Sequence, residues 1–101
     1  MKNIENIENI PEQNIFSTSD LPLASTLVTL KFFMIGLDVQ IEGVKNRPIG
    51  YFKFEDTPEL RKAEQKFSQS LLYVEPNAFT TNMRSLKSRV MNAIQSPHQI
   101  A

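Results

Sequence analysis

The sequence predicts an α+β domain in which helices pack on one face of a small antiparallel sheet of three or four strands. Three observations predict it: apolar and polar residues alternate from residue 33 to 42, a second strand-like segment follows a turn, and three amphipathic segments carry helix-start signals. The predicted order is strand, helix, strand, strand, helix, a weak strand and a final helix.

The first strand and helix are predicted from residue 14 onward. Residues 14–18 are rich in β-branched and aromatic side chains, which favour a strand. Ser19 and Asp20 can cap a helix, and Pro22 is tolerated in its first turn. We therefore predict a helix over residues 21–31, with most of its surface buried because leucines occupy more than one stripe.

A hairpin is the clearest prediction. Between residues 33 and 42 the odd positions are apolar, so they are expected to face the core, and the even positions are expected to face solvent. Residues 43–48 contain Gly, Asn and Pro and predict a loop too short for a parallel crossover. The return strand, residues 49–55, directs Phe52 and Phe54 to one face and Tyr51 and Lys53 to the other.

Two further helices complete the prediction. Asp56, Thr57 and Pro58 are typical of a helix start. Residues 72–75 predict a weak edge strand, and Pro76 opens the last helix. That helix has an apolar seam with steps of four and three, formed by Phe79, Met83, Leu86, Val90 and Ala93.

Composition limits the classes of function. The chain has 101 residues, the size of one domain, and eleven basic residues balance eleven acidic ones. Zero net charge argues against a strongly basic nucleic-acid-binding protein. Without Cys this chain has no disulfide, thiolate zinc site or cysteine nucleophile. No apolar run spans a membrane and no signal-peptide pattern is present, so we expect a cytoplasmic protein without membrane association.

The two ends of the chain differ from its middle in composition and charge. Residues 1–13 contain an Asn-Ile-Glu repeat that Pro11 ends, and a period of three suits neither a helix nor a strand. We predict a mobile N-terminal extension over residues 1–13, with ordering on a partner as the alternative. Residues 14–95 form the predicted domain and residues 96–101 a loose tail. The first twenty residues are acidic, whereas residues 77–101 carry three cations and no acid.

Four short strings occur in a fixed order along the chain: Thr18-Ser19-Asp20-Leu21, Phe52-Lys53-Phe54-Glu55-Asp56, Val74-Glu75-Pro76 and Met83-Arg84-Ser85-Leu86-Lys87. Together they resemble a family of small α+β domains of unknown function found in phages, plasmids and bacterial genomes. The resemblance implies the fold and a mobile-element setting, but no catalytic residue. It departs at Lys31, where the family often has Gly before an aromatic residue.

The element order is also similar to an RNA-recognition motif. Residues 47–54 echo its third-strand octamer, although Pro48 and Ile49 depart from it, and Ile15-Phe16 echoes its first strand. The resemblance implies a platform of Phe16, Tyr51 and Lys53 on which bases stack.

The chain has few residues of the types that catalyse reactions or bind metals and phosphate. The only histidine is His98, so a histidine relay or two-histidine metal site is absent, and no glycine-rich phosphate loop occurs. We therefore expect no enzyme activity, no cofactor, no metal and no small-molecule substrate. Arg84 and Lys87 share one flank of the last helix, and Lys45 and Arg47 lie on the hairpin loop. These four are the candidate phosphate contacts.

Protein–protein contact is the leading functional hypothesis, with self-association as one form of it. An edge strand can be extended by a partner strand, and the last helix presents Met91 and Ile94 beyond its seam. The simpler interpretation, that this helix only closes the core, stays open. Nucleic-acid binding is the competing function.

Overall fold

The part of the chain that the structure describes folds into a sheet of three antiparallel strands and three helices. The computed structural model describes residues 14–95, so the predictions for residues 1–13 and 96–101 lie outside the described residues. The elements are β1 (Ile15–Thr18), α1 (Leu21–Thr29), β2 (Met34–Glu42), β3 (Arg47–Glu55), α2 (Pro58–Ser68) and α3 (Pro76–Gln95). The predicted α+β class is confirmed.

β3 is the middle strand, and the sheet order is β1–β3–β2. The predicted hairpin is confirmed: β2 and β3 pair antiparallel from Glu42↔Arg47 inward. Gly43 and Asn46 in the turn have positive φ, and the Asn46 amide donates to the Gly43 carbonyl at 3.1 Å. β1 covers the other side of β3 with the pair Phe16↔Phe54.

A β-bulge changes which side chains face the core at the start of β2. Met34 pairs with Phe54 and Gly36 with Lys53, so Ile35 is an extra residue. The predicted alternation is therefore wrong before the bulge. Met34 packs against the core, whereas the Phe33 side chain is 78% exposed. Beyond the bulge Leu37 packs against the core as predicted.

α1 lies in the centre of the helical layer. Asp20 caps it, because the Asp20 carboxylate accepts a hydrogen bond from the Leu23 amide at 3.0 Å. Ser25 and Thr26 are buried beside apolar neighbours, and each hydroxyl donates to the carbonyl four residues earlier. Within residues 14–95, no buried side-chain nitrogen or oxygen lacks a hydrogen-bond partner. α1 can therefore be buried without leaving polar groups unpaired.

The other two helices also begin at side-chain caps. The Thr57 hydroxyl accepts from the Leu60 amide at 3.1 Å, and the Glu75 carboxylate accepts from the amides of Asn77 and Ala78. α3 packs beside α1, where the Asn82 amide donates to the Thr29 hydroxyl at 3.0 Å. The buried apolar residues belong to all three helices and to β1 and β3: Phe16, Leu23, Ala24, Leu27, Phe52, Phe54, Leu60, Ala63 and Leu86.

The predicted weak strand at residues 72–75 is wrong. These residues are irregular, and the Tyr73 side chain is 88% exposed. A strand requires hydrogen-bonded pairing, and the described sheet consists of β1, β3 and β2 alone. The alternation of half-buried Leu72 and Val74 with exposed Tyr73 and Glu75 therefore does not make a strand.

α1 and α2 end in the same Schellman motif without a glycine. At the end of α2 the Ser70 amide donates to the Phe67 carbonyl and the Leu71 amide to the Lys66 carbonyl. At the end of α1, Lys31 occupies the position that Ser70 occupies in α2: the Lys31 amide donates to the Val28 carbonyl and the Phe32 amide to the Leu27 carbonyl. The tight turn therefore forms with lysine at a position where glycine is common. Both residues have positive φ, 76° for Lys31 and 59° for Ser70. A Cβ in that conformation is strained.

α3 approaches β3 closely at Gly50. A Cβ added at Gly50 would lie 2.5 Å from the Val90 Cγ2 atom, whereas one added at Gly36 would meet nothing within 4 Å. Glycine inside a strand often marks such an approach. Among the helices of residues 14–95, none combines the length and apolar character that crossing a membrane requires.

Replacing Ser70 with glycine should stabilise the fold. Ser70→Gly removes the strained Cβ, and we expect the free energy of unfolding in urea to rise by about 0.5–1 kcal/mol. Ser68→Gly, inside the last turn of α2, is the matched control and should lower it by about as much. A loss of stability in Ser70→Gly would contradict the strain assigned to this residue.

The two strand glycines should respond oppositely to alanine. Gly50→Ala should destabilise the protein by about 1–3 kcal/mol in urea unfolding, because its Cβ overlaps Val90. Gly36→Ala should be neutral or slightly stabilising. The Gly50→Ala and Val90→Ala changes together should cost less than the sum of the two single changes. Strictly additive costs would show that the Gly50–Val90 contact is not the cause.

Candidate functional site

The principal candidate site is a groove between α3 and the first half of β3, which we call the α3–β3 groove. It has a volume of about 420 Å³. Its floor forms where Gly50 lets α3 approach the sheet, and Met91 lies on one wall. The lining residues are Ser19, Leu21, Pro48, Ile49, Gly50, Phe52, Lys87, Val90 and Met91.

The α3–β3 groove is apolar with a single charge. Among the described residues that line it, Lys87 is the only ionisable one, and the Met91 side chain is 42% exposed. Ile94, the other predicted partner contact, is half-buried and does not line the groove. The structure therefore places one predicted partner residue, Met91, beside one predicted phosphate contact, Lys87.

The basic residues do not form one patch. Arg84 and Lys87 line an open depression along α3, with Ser88, Met91 and Asn92. Lys45 and Arg47 are exposed on the hairpin, and neither lines the α3–β3 groove. Arg47 pairs with Glu42, in register with Tyr51 and Lys53, so its side chain belongs to the sheet face opposite the helices.

The predicted base-stacking platform is incomplete. Phe16 is paired with Phe54 on the core face and is 7% exposed, so the prediction that it lies on the open face is wrong. Tyr51 and Lys53 are half-buried on the open face. Strand register, rather than residue type, separates Phe16 from these two, because alternate residues of a strand face opposite sides.

Tyr51 is held by an acidic neighbour. Its hydroxyl donates to the Glu42 carboxylate at 2.9 Å. This hydrogen bond raises the pKa of Tyr51 above its ordinary value, because losing the proton would place two negative charges together, and Asp38 adds to the effect. A tyrosine flanked by two carboxylates is a poor surface for a phosphate backbone.

Sequence reasoning missed an ion pair that covers part of the core. The Arg61 guanidinium donates two hydrogen bonds of 2.8 Å to the Asp56 carboxylate. It also lies over the Phe16 ring, with 4.7 Å from its central carbon to the ring centroid. The Arg61 hydrogen bond lowers the pKa of Asp56. The five-residue spacing from a strand end into a helix gave no signal for this contact.

Sequence reasoning also missed a second groove, bounded by the end of α1, α3 and the start of β2. We call it the α1–α3 groove. It has a volume of about 340 Å³. Lys31, Phe33 and Arg89 lie on its walls. On the helical wheel of α3, Arg89 lies on the opposite side of the apolar seam from Arg84 and Lys87. This separation is the one sequence signal for a second surface on α3.

Within the part of the chain that the structure describes, no three His, Cys, Asp or Glu side chains group closely enough to hold a metal ion. In comparisons with known proteins, no family model, no curated protein and no solved structure matches this chain. The two sequence resemblances therefore stay predictions, and the function has to be argued from the surfaces just described.

Proposed function

We propose that this protein is a non-catalytic binding module that captures a short apolar segment of another protein in the α3–β3 groove. The observation that carries the proposal is the exposure of Met91 beside an apolar lining formed by Leu21, Val90 and Phe52. Methionine is a flexible apolar side chain that adapts to different partners.

The chemistry of the groove specifies the ligand. Its apolar floor favours a segment with one or two aliphatic or aromatic anchors, and Lys87 on the rim favours an acidic residue near the anchors. A partner helix or strand could present such a segment, and so could a second copy of the chain. The phage or mobile-element setting is part of this proposal and rests on the family resemblance alone.

Placing a charge at Met91 should weaken capture. Peptides selected on the full-length protein from a random display library should be rich in apolar and acidic residues. We expect Met91→Asp to raise the Kd of the selected peptides, measured by fluorescence anisotropy, by about tenfold or more, which is about 1.4 kcal/mol. Lys87→Glu should weaken acidic peptides more than neutral ones, because it reverses the charge on the rim.

Val44→Asp is the matched control, since Val44 is fully exposed on the hairpin turn and lies outside the groove. It should leave the Kd unchanged. Selected peptides that bind Met91→Asp as tightly as the parent protein would rule out the α3–β3 groove as the capture site. Size-exclusion chromatography of the parent and Met91→Asp proteins distinguishes a second copy from a different partner.

Nucleic-acid binding is the second candidate, and one observation favours it. Arg84 and Lys87 line a common depression, and no carboxylate of the described residues lines it. Two cations on one helix flank can contact adjacent phosphates. Zero net charge and the acidic surroundings of Tyr51 oppose this function.

Salt dependence tests the second candidate. Two phosphate contacts predict that affinity for a DNA duplex falls by about tenfold between 50 and 200 mM salt. Arg84→Glu should reduce both the affinity and the salt dependence, whereas Lys62→Glu on α2 should change neither. Absence of gel retardation at low salt for both DNA and RNA would rule out this function.

A further inference from the structure

The α1–α3 groove has a different chemistry from the α3–β3 groove. Two cations, Lys31 and Arg89, line it, and none of its lining residues between 14 and 95 is acidic. Within residues 14–95 neither cation takes part in an ion pair, because the ion pairs found there belong to Arg61. Two cations that have no ion-pair partner give this groove a positive charge, which favours an anionic ligand.

An apolar surface accompanies these charges. The Phe33 side chain is 78% exposed although it lies next to Phe32 and Met34, which are half-buried in the same groove. The bulge at Ile35 is the reason Phe33 points away from the core. A ligand that fits this groove therefore combines apolar side chains with carboxylates.

The local backbone holds these groups in place. Lys31 is the left-handed residue of the Schellman motif at the end of α1, and its amide donates to the Val28 carbonyl at 2.9 Å. On the opposite wall, the hydrogen bond from Asn82 to Thr29 joins α3 to α1. Lys31, just after the end of α1, and Arg89, on α3, are therefore held at a fixed spacing by the contact between the two helices. This preorganises the groove for its ligand.

We propose that the α1–α3 groove binds residues 3–12 of the same chain, the Asn-Ile-Glu repeat. This segment contains Glu5, Glu8 and Glu12 and three isoleucines at a spacing of three. Its glutamates pair with Lys31 and Arg89, and its isoleucines cover Phe33. The repeated order of one apolar and one acidic residue matches a groove in which apolar and cationic residues are neighbours.

The segment can reach the groove. The Asn14 carbonyl accepts a hydrogen bond from the Asp56 amide at 2.8 Å, so residue 14 lies at the end of β3. Ile15 and Met34 pair with Glu55 and Phe54 at this same end, on either side of β3. Two strand spacings separate them, about 10 Å. The ten residues between Asn14 and Ile4 span up to about 33 Å when extended.

Covalent attachment favours this occupant over a separate peptide. A segment joined through a short linker has an effective concentration of about millimolar at its site, so weak contacts suffice. The α3–β3 groove lies on the other flank of α3 and holds one cation instead of two. It therefore stays available for the partner of the proposed function, and the two proposals can fail independently.

Paramagnetic relaxation measures the contact in the full-length protein. The chain has no cysteine, so Asn6→Cys accepts a single nitroxide label. We expect the label to attenuate the amide signals of Phe33, Ser85 and Arg89 in a ¹⁵N correlation spectrum. The signals of Val44 and Lys45 should stay intact, because the hairpin turn lies about 30 Å from Met34 along β2.

Charge reversal identifies the cause. Glu5→Lys with Glu8→Lys should abolish the attenuation, and adding Lys31→Glu with Arg89→Glu to that chain should restore it. Arg84→Glu is the matched control and should have no effect, because Arg84 lies on the other flank of α3. Both reversed cations are exposed, and unchanged chemical shifts in the core report that each variant is folded.

Three outcomes would overturn the proposal. One is the absence of attenuation at the α1–α3 groove. Another is attenuation that survives the Glu5→Lys and Glu8→Lys changes. The third is equal attenuation when labelled chains without ¹⁵N are mixed with unlabelled ¹⁵N chains, because the segment would then be binding a second copy.

Discussion

The burial of one face of β3 under α1 and α3 is the constraint on which the rest of the structure depends. Phe52 and Phe54 are 2% and 0% exposed, and β3 pairs with both other strands. Burying two aromatic rings removes a large apolar area from water, the main source of folding free energy. Both grooves form at the margins of this contact, where the helices leave part of the sheet uncovered.

Much of the fold could be predicted because its signals are local. Asp20 and Thr57 act as the caps that their positions indicate, and the hairpin follows from the alternation around a Gly-containing turn. The bulge at Ile35 could not be predicted, because the apolar run from Phe33 reads as one regular strand. The extra residue reverses the sheet face to which each preceding side chain points, so Phe33 is exposed and Met34 is half-buried.

The candidate site was predictable only in part. The helical wheel separates Arg89 from Lys87 and marks Met91 as lying outside the seam of α3. The groove itself depends on Leu21 of α1, Gly50 of β3 and Val90 of α3, which belong to three different elements, and no spacing along the chain joins them. Phe16 shows the converse case: its type suits a base-stacking surface, but its register with Phe54 buries it.

The bulge also has a consequence for behaviour at high concentration. β2 is an edge strand of nine residues, and the free backbone groups of such a strand promote edge-to-edge pairing of sheets into fibrils. The bulge at Ile35 bends the edge of β2 that a second chain would pair with. The carboxylates of Asp38 and Glu42 also repel an identical strand placed beside β2. The β-bulge that leaves Phe33 exposed therefore also disfavours amyloid-like pairing of β2 with other chains.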